Sequence, residues 1–139
     1  MNSSRIVFLI FVAFLLSSCS TQTSGDQKMA VSESGDLQVY YFHFTKRCAT
    51  CNAIENETKV VLEIIYADQV QDGNIAFISL NLDEEEGKKM AEELEVSGQT
   101  LLLVKGDEIV NLTNEGFMNA RTNPGHFHDI LKNNIDKML

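Results

Sequence analysis

The 139 residues read as an α/β domain built on a mixed sheet, and three observations point there. Val39-Tyr40-Tyr41-Phe42-His43-Phe44 and Ile75-Ala76-Phe77-Ile78-Ser79-Leu80 are apolar at nearly every position rather than at every second one, the pattern of strands covered on both faces. Stretches with helical spacing lie between and after them. Thr100-Leu101-Leu102-Leu103-Val104 and Glu108-Ile109-Val110-Asn111-Leu112 flank Gly106-Asp107, a strong signal for an antiparallel hairpin.

Taken in order, the pattern predicts a strand over 38–44, a helix over 49–69 and a strand over 75–80. Asp83 is placed to cap a second helix over 84–96, with Met90 and Leu94 facing inward and Glu85 pairing with Lys89 outside. Glu84-Glu85-Glu86 is most simply a solvated first turn that suits the helix dipole. After the hairpin, residues 113–122 show no regular pattern and read as a looser connection. Asn123 followed by Pro124 is the N-cap and first position of a last helix. Its stripe is Phe127, Ile130, Leu131, Ile135 and Met138.

The N-terminus carries one charge, Arg5, and then the apolar run Ile6-Val7-Phe8-Leu9-Ile10-Phe11-Val12-Ala13-Phe14-Leu15-Leu16. That run has the length and order of a secretory signal and is short for a membrane span. Leu16-Ser17-Ser18-Cys19 resembles the lipobox of bacterial lipoproteins. The resemblance implies removal of residues 1–18 as a signal peptide and diacylation of Cys19 as the new N-terminus. An ordinary signal peptide with an incidental cysteine, or an uncleaved anchor, is the plainer alternative. Residues 19–36 are rich in Ser, Thr, Gln, Gly and Asp, with only Met29-Ala30-Val31 apolar, and read as a flexible tether. The folded domain then occupies 37–139, enough chain for one core and not for two.

The formal charge is −9 and becomes one unit more negative without Arg5. An acidic chain is a poor partner for nucleic acid or for anionic lipid, so membrane attachment would rest on the acyl chains. The expected location is extracytoplasmic, lipid-anchored to a bacterial membrane. No Gly-rich phosphate loop and no Ser/His/Asp arrangement occurs, and no cofactor is expected.

The chemistry is carried by Cys48-Ala49-Thr50-Cys51, which stands where the first strand stops and the first helix starts. Two thiols a helical turn apart at such a junction form a dithiol that can close and open. The first sulfur would sit among unpaired N–H groups at the positive end of the helix dipole, which favours thiolate. Lys46 and Arg47 directly precede it and push in the same direction. Cys48 is therefore the expected nucleophile and Cys51 the resolving thiol.

The order strand, Cys-x-x-Cys helix, strand, helix, hairpin, helix, from Leu37 onward, resembles the thioredoxin fold in a minimal version without the family's first strand and helix. The resemblance implies a thiol–disulfide oxidoreductase whose clients are proteins with disulfides or thiols. It implies as well a membrane electron donor or acceptor to recycle the pair. Several positions depart from the family. Arg47 stands where Trp is usual, Ala49-Thr50 where Gly-Pro is usual, and Phe42 where a buried carboxylate assists proton transfer. The family's cis-proline and following Thr align with Gln99-Thr100, so the Gly98–Gln99 bond is expected to be trans. By resemblance, Gly98, Gln99 and Thr100 inherit the position that docks substrate backbone, although a loop Gln is also ordinary.

His43, between Phe42 and Phe44, reads as a core histidine with one hydrogen bond. His126 and His128, two apart on the last helix, point to different sides and read as surface. Two alternatives to redox exchange remain open at this level: a static disulfide, and a non-catalytic thiol module that binds a soft metal, a metalloid or a partner cysteine. Heavy-metal-associated domains also place Cys-x-x-Cys after a first strand, but they continue strand, strand, helix, strand, whereas here a charged helix follows the second strand.

Overall fold

The structure, a computed structural model, describes residues 37–139. The expected signal segment, Cys19 and the expected tether lie outside the described residues. Leu37–His43 forms β1, Ala49–Ile65 α1, Ala67–Gln71 α2, Ile75–Asn81 β2, Glu85–Glu93 α3, Thr100–Lys105 β3, Glu108–Asn111 β4, Thr113–Asn119 α4 and Pro124–Met138 α5. The sheet runs in the order β2-β1-β3-β4. β1 is parallel to β2, with Leu37 opposite Ile75 and His43 opposite Asn81. It is antiparallel to β3, with Phe42 opposite Thr100. The hairpin closes at Lys105 opposite Glu108, with Gly106 at φ 57°, a left-handed conformation that glycine takes without strain.

Side chains alternate across β1, and each face has its own core. Val39 and Tyr41 join Ile54, Val61, Leu62, Leu101, Leu103, Phe127, Leu131 and Ile135 on the side covered by α1 and α5. Tyr40 and Phe42 join Leu80, Leu82, Ala91, Leu102 and Val104 on the side covered by α3. β1 is thus covered on both faces as its composition requires, whereas β2, at the sheet edge, is buried at Ile75 and Leu80 and half-buried or exposed between them. The α5 stripe is buried as read, with Ile130 partly buried, and each such side chain contributes roughly 1.5–3 kcal/mol. Asn123 caps α5 by accepting from the His126 N–H, and Lys105 Nζ donates to the Met138 and Leu139 carbonyls at its other end.

Four readings are corrected. The first helix ends at Ile65 instead of running through 69, because Tyr66 leaves helical geometry at φ −117°, ψ 25°. Its ring turns into the core, and its hydroxyl lies 2.7 Å from the Asp136 carboxylate. Asp83 does not cap α3, which starts after Glu84 without a side-chain cap. Its carboxylate accepts instead from the Thr45 N–H at 2.8 Å. Lys89 pairs with Glu93, not with Glu85. The stretch read as loose contains α4, whose Gly116 faces Ile54 so closely that a Cβ would touch that side chain at 3.2 Å. Weak local propensity hides this helix and packing makes it.

Candidate functional site: the Cys48–Cys51 pair

Cys48 is the N-cap residue of α1, with extended backbone, and its Sγ accepts from the Cys51 N–H at 3.1 Å. One of the helix's unpaired donors therefore points at this sulfur, the geometry that favours negative charge on it. The two cysteines form a disulfide with Cα atoms 5.1 Å apart. Cys48 is exposed, whereas Cys51 is only 3% exposed. An incoming sulfur can reach the first and not the second.

The α1 stripe that faces the core explains why Cys51 is sheltered. Cys51, Ile54, Glu55, Thr58, Val61 and Leu62 recur at helical spacing and are all buried. Thr58 satisfies its hydroxyl on the Ile54 carbonyl at 2.7 Å. From β1, the Tyr41 hydroxyl donates to the Cys51 carbonyl at 2.7 Å. Burial, with a smaller push from Glu55 and against the pull of Arg47, raises the Tyr41 pKa to about 12.

Glu55 is the carboxylate that sequence reasoning missed. Its side chain is 10% exposed, paired with Arg47 and, at 2.7 Å, with Lys59. Burial alone would raise its pKa, but the hydrogen bonds from Lys59 and Arg47 outweigh that and hold the carboxyl below its ordinary value. The available signal was a carboxylate four residues after Cys51 on the same apolar stripe. Arg47 thus commits its guanidinium to Glu55, while Lys46 stays exposed. Of the two residues expected to act on Cys48 by charge, one is tied to a counter-ion.

The approach to Cys48 is fastened to the end of β2. The Thr45 N–H meets Asp83, the Thr45 hydroxyl accepts from Asn81 Nδ2 at 3.0 Å, and the Leu82 N–H donates to the His43 carbonyl at 2.7 Å. The Thr45 backbone hydrogen bond lowers the Asp83 pKa. Gly87 of α3 sits directly on the Asn81 carbonyl, where no Cβ fits. His43 is buried, with Nδ1 3.1 Å from the Phe44 carbonyl, as a core histidine. His126 is exposed, but His128 is not a plain surface residue. Its Nε2 lies 2.7 Å from Glu57 and links α5 to α1.

Across from the pair, the loop that leads into β3 brings Gln99 to Cys51. Gln99 Oε1 lies 3.2 Å from Cys51 Sγ, and no cis peptide bond occurs among the described residues, so Gly98–Gln99 is trans as expected. The Thr100 hydroxyl donates to the Gly98 carbonyl at 2.9 Å, and the space beside Gly98 is open. Among the described residues, no group of three or more His, Cys, Asp or Glu is arranged to hold a metal ion, and no helix is long and apolar enough to cross a membrane.

No family model matches the chain, and no curated protein does. Among solved structures it is similar to mitochondrial thioredoxin 3 from Saccharomyces cerevisiae in the oxidised form, at 19% identity over 71% of this chain and 79% of that one, TM-score 0.43. It is similar also to a thioredoxin from Thermus thermophilus, at 17% identity over 74% and 76%, TM-score 0.42. A malarial protein of solved structure aligns at 20% identity over 57% and 81%, TM-score 0.42. The strand order, the parallel β1–β2 pair, the antiparallel β3 and β4, and a cysteine pair at the β1–α1 junction are the arrangement expected of the minimal thioredoxin-like fold. The chain is an α/β protein with the strand arrangement of the thioredoxin-like fold, and Cys48 and Cys51 stand at disulfide distance where β1 gives way to α1.

Proposed function

We propose that this chain is an extracytoplasmic thiol–disulfide oxidoreductase, tethered to a bacterial membrane by lipid on Cys19, that reduces disulfides of client proteins. The observation that carries the reading is the asymmetry of the pair: an exposed cysteine on the helix cap, bonded to a cysteine buried one turn later. Such a pair divides the labour of exchange. The Cys48 thiolate attacks one sulfur of a client disulfide, forming a Cys48–client bond and expelling the other client sulfur as thiolate. Cys51, as thiolate, then attacks Cys48 Sγ, the Cys48–client bond breaks, and the client's second thiolate departs. Two electrons have passed to the client and the pair is a disulfide. A membrane thiol donor reverses the pair's oxidation.

The open space beside Gly98, next in sequence to the Gln99 that reaches Cys51, gives a client segment room at this loop. Tethering is supported by Leu16-Ser17-Ser18-Cys19 and by the polar stretch that follows. The acidic charge argues against nucleic acid as a partner.

Trapping tests the reading. In the producing cell, Cys51→Ser should accumulate mixed disulfides on a non-reducing gel, because the attacking thiol survives and the resolving one does not. Cys48→Ser should trap little. The adducts should sediment with membranes, and adding Cys19→Ser should leave the precursor unprocessed. Equal trapping by both variants, with melting curves showing both folded, refutes the ordered mechanism. Normally cleaved, unacylated protein from the unaltered gene refutes the tether.

A further inference from the structure

The proposed cycle leaves one charge unaccounted for. When a donor thiolate attacks the exposed Cys48 Sγ, a donor–Cys48 bond forms, the Cys48–Cys51 bond breaks, and the electron pair leaves on Cys51 Sγ. Cys51 as a residue is 3% exposed, and a buried anion without a hydrogen-bond donor is costly.

The side chains of Arg47, Tyr41 and His43 already have partners. Arg47 is on Glu55, and Glu55 holds Arg47 and Lys59. From β1 the Tyr41 hydroxyl is on the Cys51 carbonyl, and His43 Nδ1 is against the Phe44 carbonyl. Gln99 differs. Its Nε2 is, among the described residues, the buried side-chain polar atom that lacks a hydrogen-bond partner, and its other terminal atom is 3.2 Å from Cys51 Sγ. A disulfide sulfur carries no proton, so Oε1 facing it makes no hydrogen bond, and a half-turn of the carboxamide exchanges Oε1 for Nε2. With a Cys51 thiol, Oε1 can accept the S–H. With a Cys51 thiolate, Nε2 can donate to it.

We propose that Gln99 is a catalytic residue of the pair, its side-chain N–H donating to the Cys51 sulfur as negative charge develops there. The inference rests on the oxidoreductase reading and gives Gln99 a part in it distinct from client docking. It makes Cys51 the better leaving group when the disulfide is opened and the more available thiolate when a mixed disulfide is resolved.

The test uses the full chain with Cys19→Ser and Cys48→Ser, in which Cys51 is the one remaining cysteine of three and the serine introduced at the helix cap keeps a capping oxygen. The ultraviolet absorbance of the Cys51 thiolate is followed against pH with Gln99, Gln99→Met and Gln99→Glu. Loss of one hydrogen bond to a charged group should lower the acid dissociation constant of Cys51 roughly tenfold in Gln99→Met. Gln99→Glu, which replaces a donor by an anion, should lower it further. In the same chain with Gln99 unaltered, the side-chain amide resonances of Gln99 should shift with the same midpoint as the thiolate absorbance, a readout that needs no folded Gln99 variant. Unmoved amide resonances, or one dissociation constant in all three chains, overturn the proposal. Client trapping that persists while Cys51 is indifferent to Gln99 removes this inference and leaves the oxidoreductase. A Cys51 that responds to Gln99 in a chain that traps no client leaves the hydrogen bond and removes its catalytic part together with the oxidoreductase.

Discussion

Replacing Glu55 by Gln should destabilise the chain by about 1–2 kcal/mol at neutral pH, and the loss should disappear in acid. The carboxylate side chain is 10% exposed, and its two partners are unequal: the Arg47 side chain is 24% exposed and that of Lys59 44%. A sheltered charge-assisted hydrogen bond contributes about 1.5–3 kcal/mol, while a pair with one exposed member contributes nearer 0.5. Gln keeps the shape and one accepting oxygen, which recovers about 1–1.5 kcal/mol of the sum. For a domain of this size the difference is a fall in melting temperature of roughly 6–12 °C. The sign with pH follows from the lowered pKa. The contribution is complete above the ordinary value of 4.5 and is lost as pH falls through the lower folded value. Melting curves of both chains, oxidised, from neutral pH to about pH 3 should therefore converge. Coincident melting at neutral pH, or a gap that persists undiminished in acid, refutes the assignment of Glu55 as a buried anion held by Arg47.

Two further outcomes follow from the packing. Gly87→Ala forces a Cβ onto the Asn81 backbone carbonyl, which cannot rotate away as a side chain would, and should cost about 3 kcal/mol by melting. Because Asn81 and Asp83 hold Thr45, the Thr45 amide should exchange its hydrogen faster in the same variant. Tyr41→Phe removes the hydroxyl on the Cys51 carbonyl and should cost about 1 kcal/mol at neutral pH. The Tyr41 pKa is raised from 10.0 to about 12, so its contribution is present below 10 and fades as pH rises toward 12. Stability of the unaltered chain should fall across that window, and Tyr41→Phe should flatten the fall, both read by melting alongside tyrosinate absorbance.

What the sequence disclosed and what it hid divide along physical lines. Continuous apolar strands, the Gly106-Asp107 turn and the Asn123-Pro124 start are local signals, and the structure has β1, β2, the hairpin and α5 where they lie. The Cys48 cap is local in the same way. α4 was hidden because Thr, Asn and Gly are weak helix formers, and the helix exists through Gly116 against Ile54. Asp83 stood where a cap is usual but serves a backbone N–H 38 residues away, which no local rule sees. Glu55 was passed over because a charged residue in a helix is ordinarily solvated, and the Arg47 that neutralises it comes from the loop before the helix. Gln99 stands where the thioredoxin pattern has its cis-proline, but its contact with the sulfur of Cys51 belongs to tertiary structure.

The sheet has a thick side and a thin one. Two long helices, α1 and α5, cover the first, while the nine-residue α3, with only Gly87 and Ala91 fully buried, covers most of the second. Regions with little buried apolar surface open at lower free energy than the rest of a domain, so of the three helices α1, α3 and α5 that cover the sheet, α3 should open most readily. The sulfurs belong to the start of α1, on the rigid half. Thr45, three residues before Cys48, is moored at the end of β2 beside α3. Transient opening of the thin side therefore loosens the path by which a partner reaches Cys48, and the spacing between the two sulfurs stays as the thick side sets it.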